Sequence, residues 1–214
     1  IAACAAANPT CLMVGDVAGG DGTAVRTGGT GDDILGGDAG NEVLKGEAGA
    51  NQLRGGDGND ALTGGLGNDI LSGDAGDDIL KGQAGADQLR GGAGNDTLYA
   101  DSADTVVFGG LGDDTLYVEG ATGVSIGAGA GIETAVGNVG NDVFDGSDLA
   151  TSANFAGGDG NDALTGGSRS DVLTGGAGDD TLSGWTVYAI VSFPGLMSVY
   201  RFTRRAEGLV VTYT

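Results

Sequence analysis

Apolar residues recur along this chain with a period of nine. Leu35, Leu44, Leu53, Leu62, Leu71, Leu80, Leu89 and Leu98 follow one another at that spacing, and Val107 and Leu116 continue the series. A nine-residue period matches neither the 3.6 of a helix nor a long alternating strand. It fits a strand of about three residues that turns one side chain inward and is followed by a tight turn. Two such half-turns form one coil of about eighteen residues, and stacked coils line their interior with Leu while neighbouring strands pair in parallel.

The residues between the leucines complete a unit, Gly-Gly-x-Gly-x-Asp-x-Leu-x. Eight copies run head to tail from residue 28 to residue 99, from GGTGDDILG to GGAGNDTLY; another, GGLGDDTLY, begins at Gly109, and GGDGNDALT, GGSRSDVLT and GGAGDDTLS fill residues 157–183. Glycine at places one, two and four permits the left-handed backbone of a tight turn. An acidic residue at place six puts a carboxylate inside that turn, among main-chain carbonyl oxygens. Oxygen-only ligation suits Ca2+, whereas zinc calls for nitrogen or sulfur, and the chain has no His. A metal-free alternative closes the same turns with Asx hydrogen bonds alone.

These motifs resemble the RTX (repeats-in-toxin) calcium-binding family over residues 28–117 and 157–183; between the two tracts only GNVGNDVFD from Gly137 keeps the register. The resemblance implies an all-β fold, a right-handed parallel β-roll solenoid. It also implies multiple Ca2+ ions held between successive coils, so that place six of one repeat works with place six two repeats later. One edge then carries Glu42, Asp60, Asp78, Asp96 and Asp114, and the other Asp33, Asn51, Asp69, Asp87 and Thr105. The second tract offers Asp162 with Asp180 on one edge and Asp171 on the other; Asp142 is the acid of the isolated copy. Asn51 is expected to ligate through its carbonyl oxygen and to weaken its site without abolishing it.

Composition changes this picture in one respect. With 47 Gly, 30 acidic and 9 basic residues the formal charge is −21, and compact coils of such a chain repel themselves; about ten divalent ions would offset that charge. Glycine loses the most backbone entropy on ordering, so metal binding is expected to supply much of the folding free energy. The acidic surface argues against nucleic acid as a partner, and no segment has the length of a transmembrane helix. Lys45, Arg54, Lys81 and Arg90 stand at place nine, facing outward, and mark a super-period of thirty-six residues.

Three regions are expected: residues 1–27 as an N-terminal cap or joining segment, 28–184 as the calcium-binding roll, and 185–214 as antiparallel C-terminal strands that cap the roll or join subunits. Within the roll, residues 118–156 read as irregular coils without calcium, with Val124, Ile126, Ile132, Val136, Phe144 and Phe155 as interior candidates. The C-terminal segment reads as three strands with turns at Pro194-Gly195 and Ala206-Glu207-Gly208. Cys4 and Cys11 allow a small disulfide loop or an inter-subunit bond, and an N-terminal Ile suggests processing or a fragment. With no His, no nucleophile elbow and no phosphate loop, the chain reads as noncatalytic. The first functional expectation is a secreted, extracellular, calcium-folded structural protein that forms or joins a surface layer, adhesin or filament. The second is the noncatalytic secretion and folding module of a type I secreted exoenzyme; an ice-binding roll ranks behind both.

Overall fold

The leucine period becomes a coil because each Leu sits between two outward-facing neighbours. In Ile79–Ala84, for example, Ile79 is exposed, Leu80 is fully buried and Lys81 is half-buried. The computed structural model describes residues 2–3, 12–13, 22–184, 190–192, 200–205 and 208–213. All regular elements among them are strands. The Cys4 and Cys11 pairing and the Pro194-Gly195 turn lie outside the described residues.

Two units divide the chain, Ile1–Asp114 and Thr115–Thr214. In the first, successive half-turns alternate between two parallel sheets. Val25–Thr27, Val43–Ala48, Ala61–Leu66, Ile79–Ala84 and Thr97–Ala100 form one sheet; Ile34–Gly36, Gln52–Asp57, Ile70–Ala75, Gln88–Ala93 and Val106–Leu111 form the other. The register puts leucine on leucine. Leu44 pairs with Leu62 and Leu62 with Leu80, and opposite them Leu35 pairs with Leu53 and Leu53 with Leu71. All six side chains are at most 2% exposed. This is a parallel β-solenoid whose core is two facing columns of one residue type.

Both columns change identity at their ends. Arg26 pairs with Leu44 and takes the inward position ahead of it; it is 5% exposed and donates from Nη1 to the carbonyl of Gly36 at 2.5 Å. Strand register turns this charged residue into the interior. Val107, paired with Leu89, is only half-buried. On the outer face Lys81 places its ammonium 4.0 Å from the centroid of the Tyr99 ring, and Arg54 pairs with Asp74.

The second unit repeats the plan with wider coils. Leu116 pairs with Ala135, Ala135 with Phe155 and Phe155 with Leu173; on the other sheet Ile126 pairs with Phe144 and Phe144 with Leu164. The expectation of irregular coils in 118–156 names Val124, Ile126, Ile132, Phe144 and Phe155 correctly as buried. Val136 is a correction: it is half-buried, and its neighbour Ala135 points inward, because pairing with Leu116 and Phe155 fixes the parity of that strand. Phe144 and Phe155 meet edge to face, with centroids 5.7 Å apart and planes at 65°, and supply the volume that an Ala leaves open.

The C-terminal segment also differs from a simple three-stranded antiparallel sheet. Ile190–Ser192 pairs in parallel with Val172–Thr174, continuing the coils. Tyr200–Arg205 and Gly208–Tyr213 pair antiparallel, and the latter lies antiparallel to Thr181–Gly184. Short three-residue strands favour another coil as readily as a hairpin, which local alternation cannot distinguish.

Candidate metal sites

Every acidic or amide place-six residue named from sequence is buried, none more than 2% exposed: Asp33, Glu42, Asn51, Asp60, Asp69, Asp78, Asp87, Asp96, Asp114, Asp142, Asp162, Asp171 and Asp180; Thr105 is exposed. The glycine turn folds the carboxylate back against its own backbone, and the next coil covers it.

These side chains form ladders along the edges of the coils. Within the regular repeats the backbone N–H of one place-six residue donates to an oxygen of the place-six side chain of the following coil. Glu42 N–H reaches Asp60 Oδ1 at 2.6 Å, Asp60 reaches Asp78 at 2.7 Å, Asp78 reaches Asp96 at 2.9 Å and Asp96 reaches Asp114 at 2.8 Å. On the opposite edge Asp33 donates to Asn51 at 3.0 Å, Asn51 to Asp69 at 2.7 Å and Asp69 to Asp87 at 2.7 Å.

Two rungs escaped the reading of spacing. Thr105 does not end the second edge, because the N–H of Asp87 donates to Asp104 Oδ1 at 3.0 Å while the Thr105 hydroxyl donates to the Asp87 carbonyl. A shift of one residue brings Asp104 into the ladder, and its Oδ2 accepts from Asp101 N–H at 2.9 Å. Asp142, isolated in sequence, stands in one series with Asp162 and Asp180: Asp142 N–H donates to Asp162 at 2.8 Å and Asp162 N–H to Asp180 at 3.0 Å. The wider coil hid this relation. At Val124 and Ala153 the ladder continues through backbone donors to Asp142 and Asp171, without a carboxylate of their own.

A second, outer ladder runs in the reverse sense at place five. Asn59 N–H donates to Asn41 Oδ1, Asp77 N–H to Asn59 Oδ1, Asn95 N–H to Asp77 Oδ1 and Asp113 N–H to Asn95 Oδ1, at 2.7 to 3.0 Å. The recurrence of Asn and Asp at place five was the sequence signal for it. These exposed rungs serve hydrogen bonding alone, and amide and acid alternate there freely. Place six is acidic at nearly every copy, so its acids meet a need that one hydrogen bond does not satisfy.

That need is visible at the second carboxylate oxygen. Oδ2 of Asp60, Asp69, Asp78, Asp87, Asp96, Asp142, Asp162 and Asp171, and Oε1 of Glu42, are buried without a hydrogen-bond partner. Leaving a buried polar atom unpaired costs about 1–3 kcal/mol, and more for an ion. The place-one glycine makes room beside it. A methyl group built on Gly55 would stand 2.2 Å from Asp60 Oδ2 and 2.7 Å from the carbonyl oxygen of Gly73; on Gly73 it would stand 2.1 Å from Asp78 Oδ2 and 2.7 Å from the carbonyl oxygen of Gly91. A carboxylate oxygen and a carbonyl oxygen of the next coil therefore crowd a space that only glycine leaves open.

Burial raises the pKa values of these carboxyl groups in a consistent direction. The Asp78 carboxyl is pushed up to about 7 by burial, with the charges of Asp96 and Asp60 adding to it, and Asp162 and Asp104 are pushed up to about 6, also by burial first. Glu42, Asp60, Asp69, Asp87, Asp96, Asp142 and Asp180 are raised for the same leading reason. A divalent cation beside them would reverse that direction. Among the described residues no three acidic, imidazole or thiol side chains converge on one point. A cation in a ladder would thus take carboxylate oxygens from successive coils and complete its shell with main-chain carbonyls, a donor set that fits Ca2+.

A family model described as the RTX calcium-binding nonapeptide repeat (4 copies) matches residues 18–48, 36–71, 63–98, 72–107, 99–120, 127–148 and 156–186. These stretches cover more than half of the chain. No curated relative and no solved structure matches it.

Proposed function

Because the chain belongs to the RTX calcium-binding nonapeptide-repeat family, we propose that its buried ladders hold a series of Ca2+ ions and that the metal closes each coil on the next. RTX repeats bind calcium in a structural β-roll typical of secreted proteins, and this chain is such a repeat protein. The ligands are Glu42, Asp60, Asp69, Asp78, Asp87, Asp96 and Asp114 in the first unit and Asp142, Asp162, Asp171 and Asp180 in the second. The observation that carries this assignment is the unpartnered Oδ2, which recurs coil after coil beside a glycine and a carbonyl oxygen. Bound calcium supplies the positive charge that makes these buried carboxylates stable as anions. The chain's own residues do the rest: glycine shapes the cradle, the inter-coil N–H orients one oxygen, and leucine excludes water from behind.

The biological role is structural and noncatalytic, that of a secreted, extracellular protein that forms or joins a surface layer, adhesin or filament. Its buried acids support this reading, because they are committed to rungs between coils, away from any substrate cleft. No helix among the described residues is long and apolar enough to cross a membrane. Residues 1–27 and 185–214 are the joining segments, and self-association through them builds the assembly. Electron microscopy of the purified chain in millimolar Ca2+ and again after chelation tests this role. Filaments or sheets that dissolve with chelator are expected; dispersed short rods at every protein concentration would instead identify a detached secretion and folding module of an exoenzyme.

A further inference from the structure

Residues 46–54, GEAGANQLR, and 82–90, GQAGADQLR, are the same unit thirty-six residues apart, and they differ at two places only. Glu47 corresponds to Gln83 and Asn51 to Asp87. The two place-two side chains are exposed and share a left-handed backbone, with φ of 76° and 73°. The two place-six side chains are buried. An acid and an amide have therefore exchanged places between the outside and the inside of the turn.

The buried partners differ in how their second polar atom is satisfied. Asp87 Oδ2 has no hydrogen-bond partner. Asn51 is complete: its Oδ1 accepts from Asp33 N–H at 3.0 Å, and its Nδ2 donates to the carbonyl of Gly49 at 3.2 Å. Nδ2 occupies the cradle that a carboxylate oxygen fills elsewhere, since a methyl group on Gly46 would stand 2.5 Å from Asn51 Nδ2 and 2.5 Å from the carbonyl oxygen of Gly64. Flipping the amide would set NH2 against the Asp33 N–H and Oδ1 against the Gly49 carbonyl, donor on donor and acceptor on acceptor. At the preceding coil Asp33 Oδ2 accepts from Gly29 N–H at 2.7 Å. The chain's own backbone thus pairs both residues of this level, N–H groups donating to Asp33 Oδ2 and Asn51 Oδ1 and the Gly49 carbonyl accepting from Asn51 Nδ2.

Building on the calcium assignment above, we infer that Asn51 is an internal replacement for a calcium ion, and that the level it shares with Asp33 closes without metal. On this inference Asn51 departs from the expectation that it ligates weakly through its carbonyl oxygen, because that oxygen is engaged by the backbone and an NH2 group offers a cation no lone pair. The edge carrying Asp69 and Asp87 then begins from a metal-independent turn, while the edge from Glu42 to Asp114 has acids at every level.

Two measurements on the full chain decide this. Anomalous scattering from calcium-loaded crystals should show ions along the Glu42 to Asp114 edge and beside Asp69 and Asp87, and none between Asp33 and Asn51. An ion at that level overturns the inference alone, whereas ions at neither edge overturn the calcium assignment beneath it. By equilibrium dialysis, Asn51→Asp should bind at least one Ca2+ more than the parent, and Asp87→Asn at least one fewer. An unchanged count for a folded Asn51→Asp overturns the inference; should that variant fail to fold, the crystallographic map of the parent remains decisive.

Discussion

Residues 28–114 and residues 118–156 build the same kind of coil by different means. In the first stretch the inward residue is Leu at every repeat but that of Val107, nearly every turn carries a buried acid, and equivalent inward residues are separated by eighteen, as in Leu44, Leu62 and Leu80. In the second, inward positions pass from Leu116 to Ala135 to Phe155, so the spacing becomes nineteen and then twenty. The ladder positions there include Val124, which has no carboxylate. The difference separates two jobs that the regular unit combines. An inward apolar side chain holds strand on strand, whatever its exact size, provided neighbours fill the volume. The glycine and acid turn adds the inter-coil ladder, and it tolerates a wider coil, since Asp142 and Asp162 are joined across twenty residues while Val124 and Asp142 keep eighteen.

Metal removal should break the comparison most. At pH 8 a calcium-free protein is expected to lose most of its β circular dichroism, with hydrogen exchange rising more in peptides from 55–99 than in those from 124–145. Equal loss of protection in both would mean that the turns are not where calcium acts. Next in size is Phe155→Ala, which removes the ring packed on Phe144 and should cost about 3–5 kcal/mol in calcium. Gly73→Ala places a methyl 2.1 Å from Asp78 Oδ2 and 2.7 Å from a main-chain oxygen. It should cost about 1–3 kcal/mol and lower the calcium count by at least one. Gly127→Ala, with nothing within 4 Å of the new methyl, should change neither. Denaturant titration with parallel calcium counting checks all three.

The pH response sharpens the contrast further. Burial raises Asp78 to about 7 and Asp162 to about 6, so in the metal-free chain the protonated acids stabilise the coils at low pH, and that contribution is lost as pH rises through 6 to 7. Metal-stripped protein should therefore gain β-structure on acidification from pH 8 to pH 5. Calcium affinity should run the other way, falling over the same window because protons and Ca2+ compete for the same oxygens. Circular dichroism without chelator and calorimetric titration at several pH values would show the two opposed slopes; parallel slopes would refute the role of these acids. The smallest effect belongs to the outer ladder. Asn59→Ala removes the acceptor for Asp77 N–H and should cost about 0.5–1.5 kcal/mol with no change in calcium count.

Much of this molecule was legible as a string. The nine-residue recurrence of Leu determined parallel coils and their inward column, since a three-residue strand can bury only its middle side chain. Glycine and aspartate at fixed places determined where the acids would be buried and what kind of cation they suit. Spacing alone could not reveal Asp104 in place of Thr105, Ala135 in place of Val136, or the union of Asp142 with Asp162, because each follows from strand register between coils of unequal length. Nor could it show that Arg26 turns inward. The amide of Asn51 makes the same point most directly: composition presents it as a weaker ligand, and only its two hydrogen bonds, to residues brought there by neighbouring coils and its own turn, decide that a nitrogen faces the cradle.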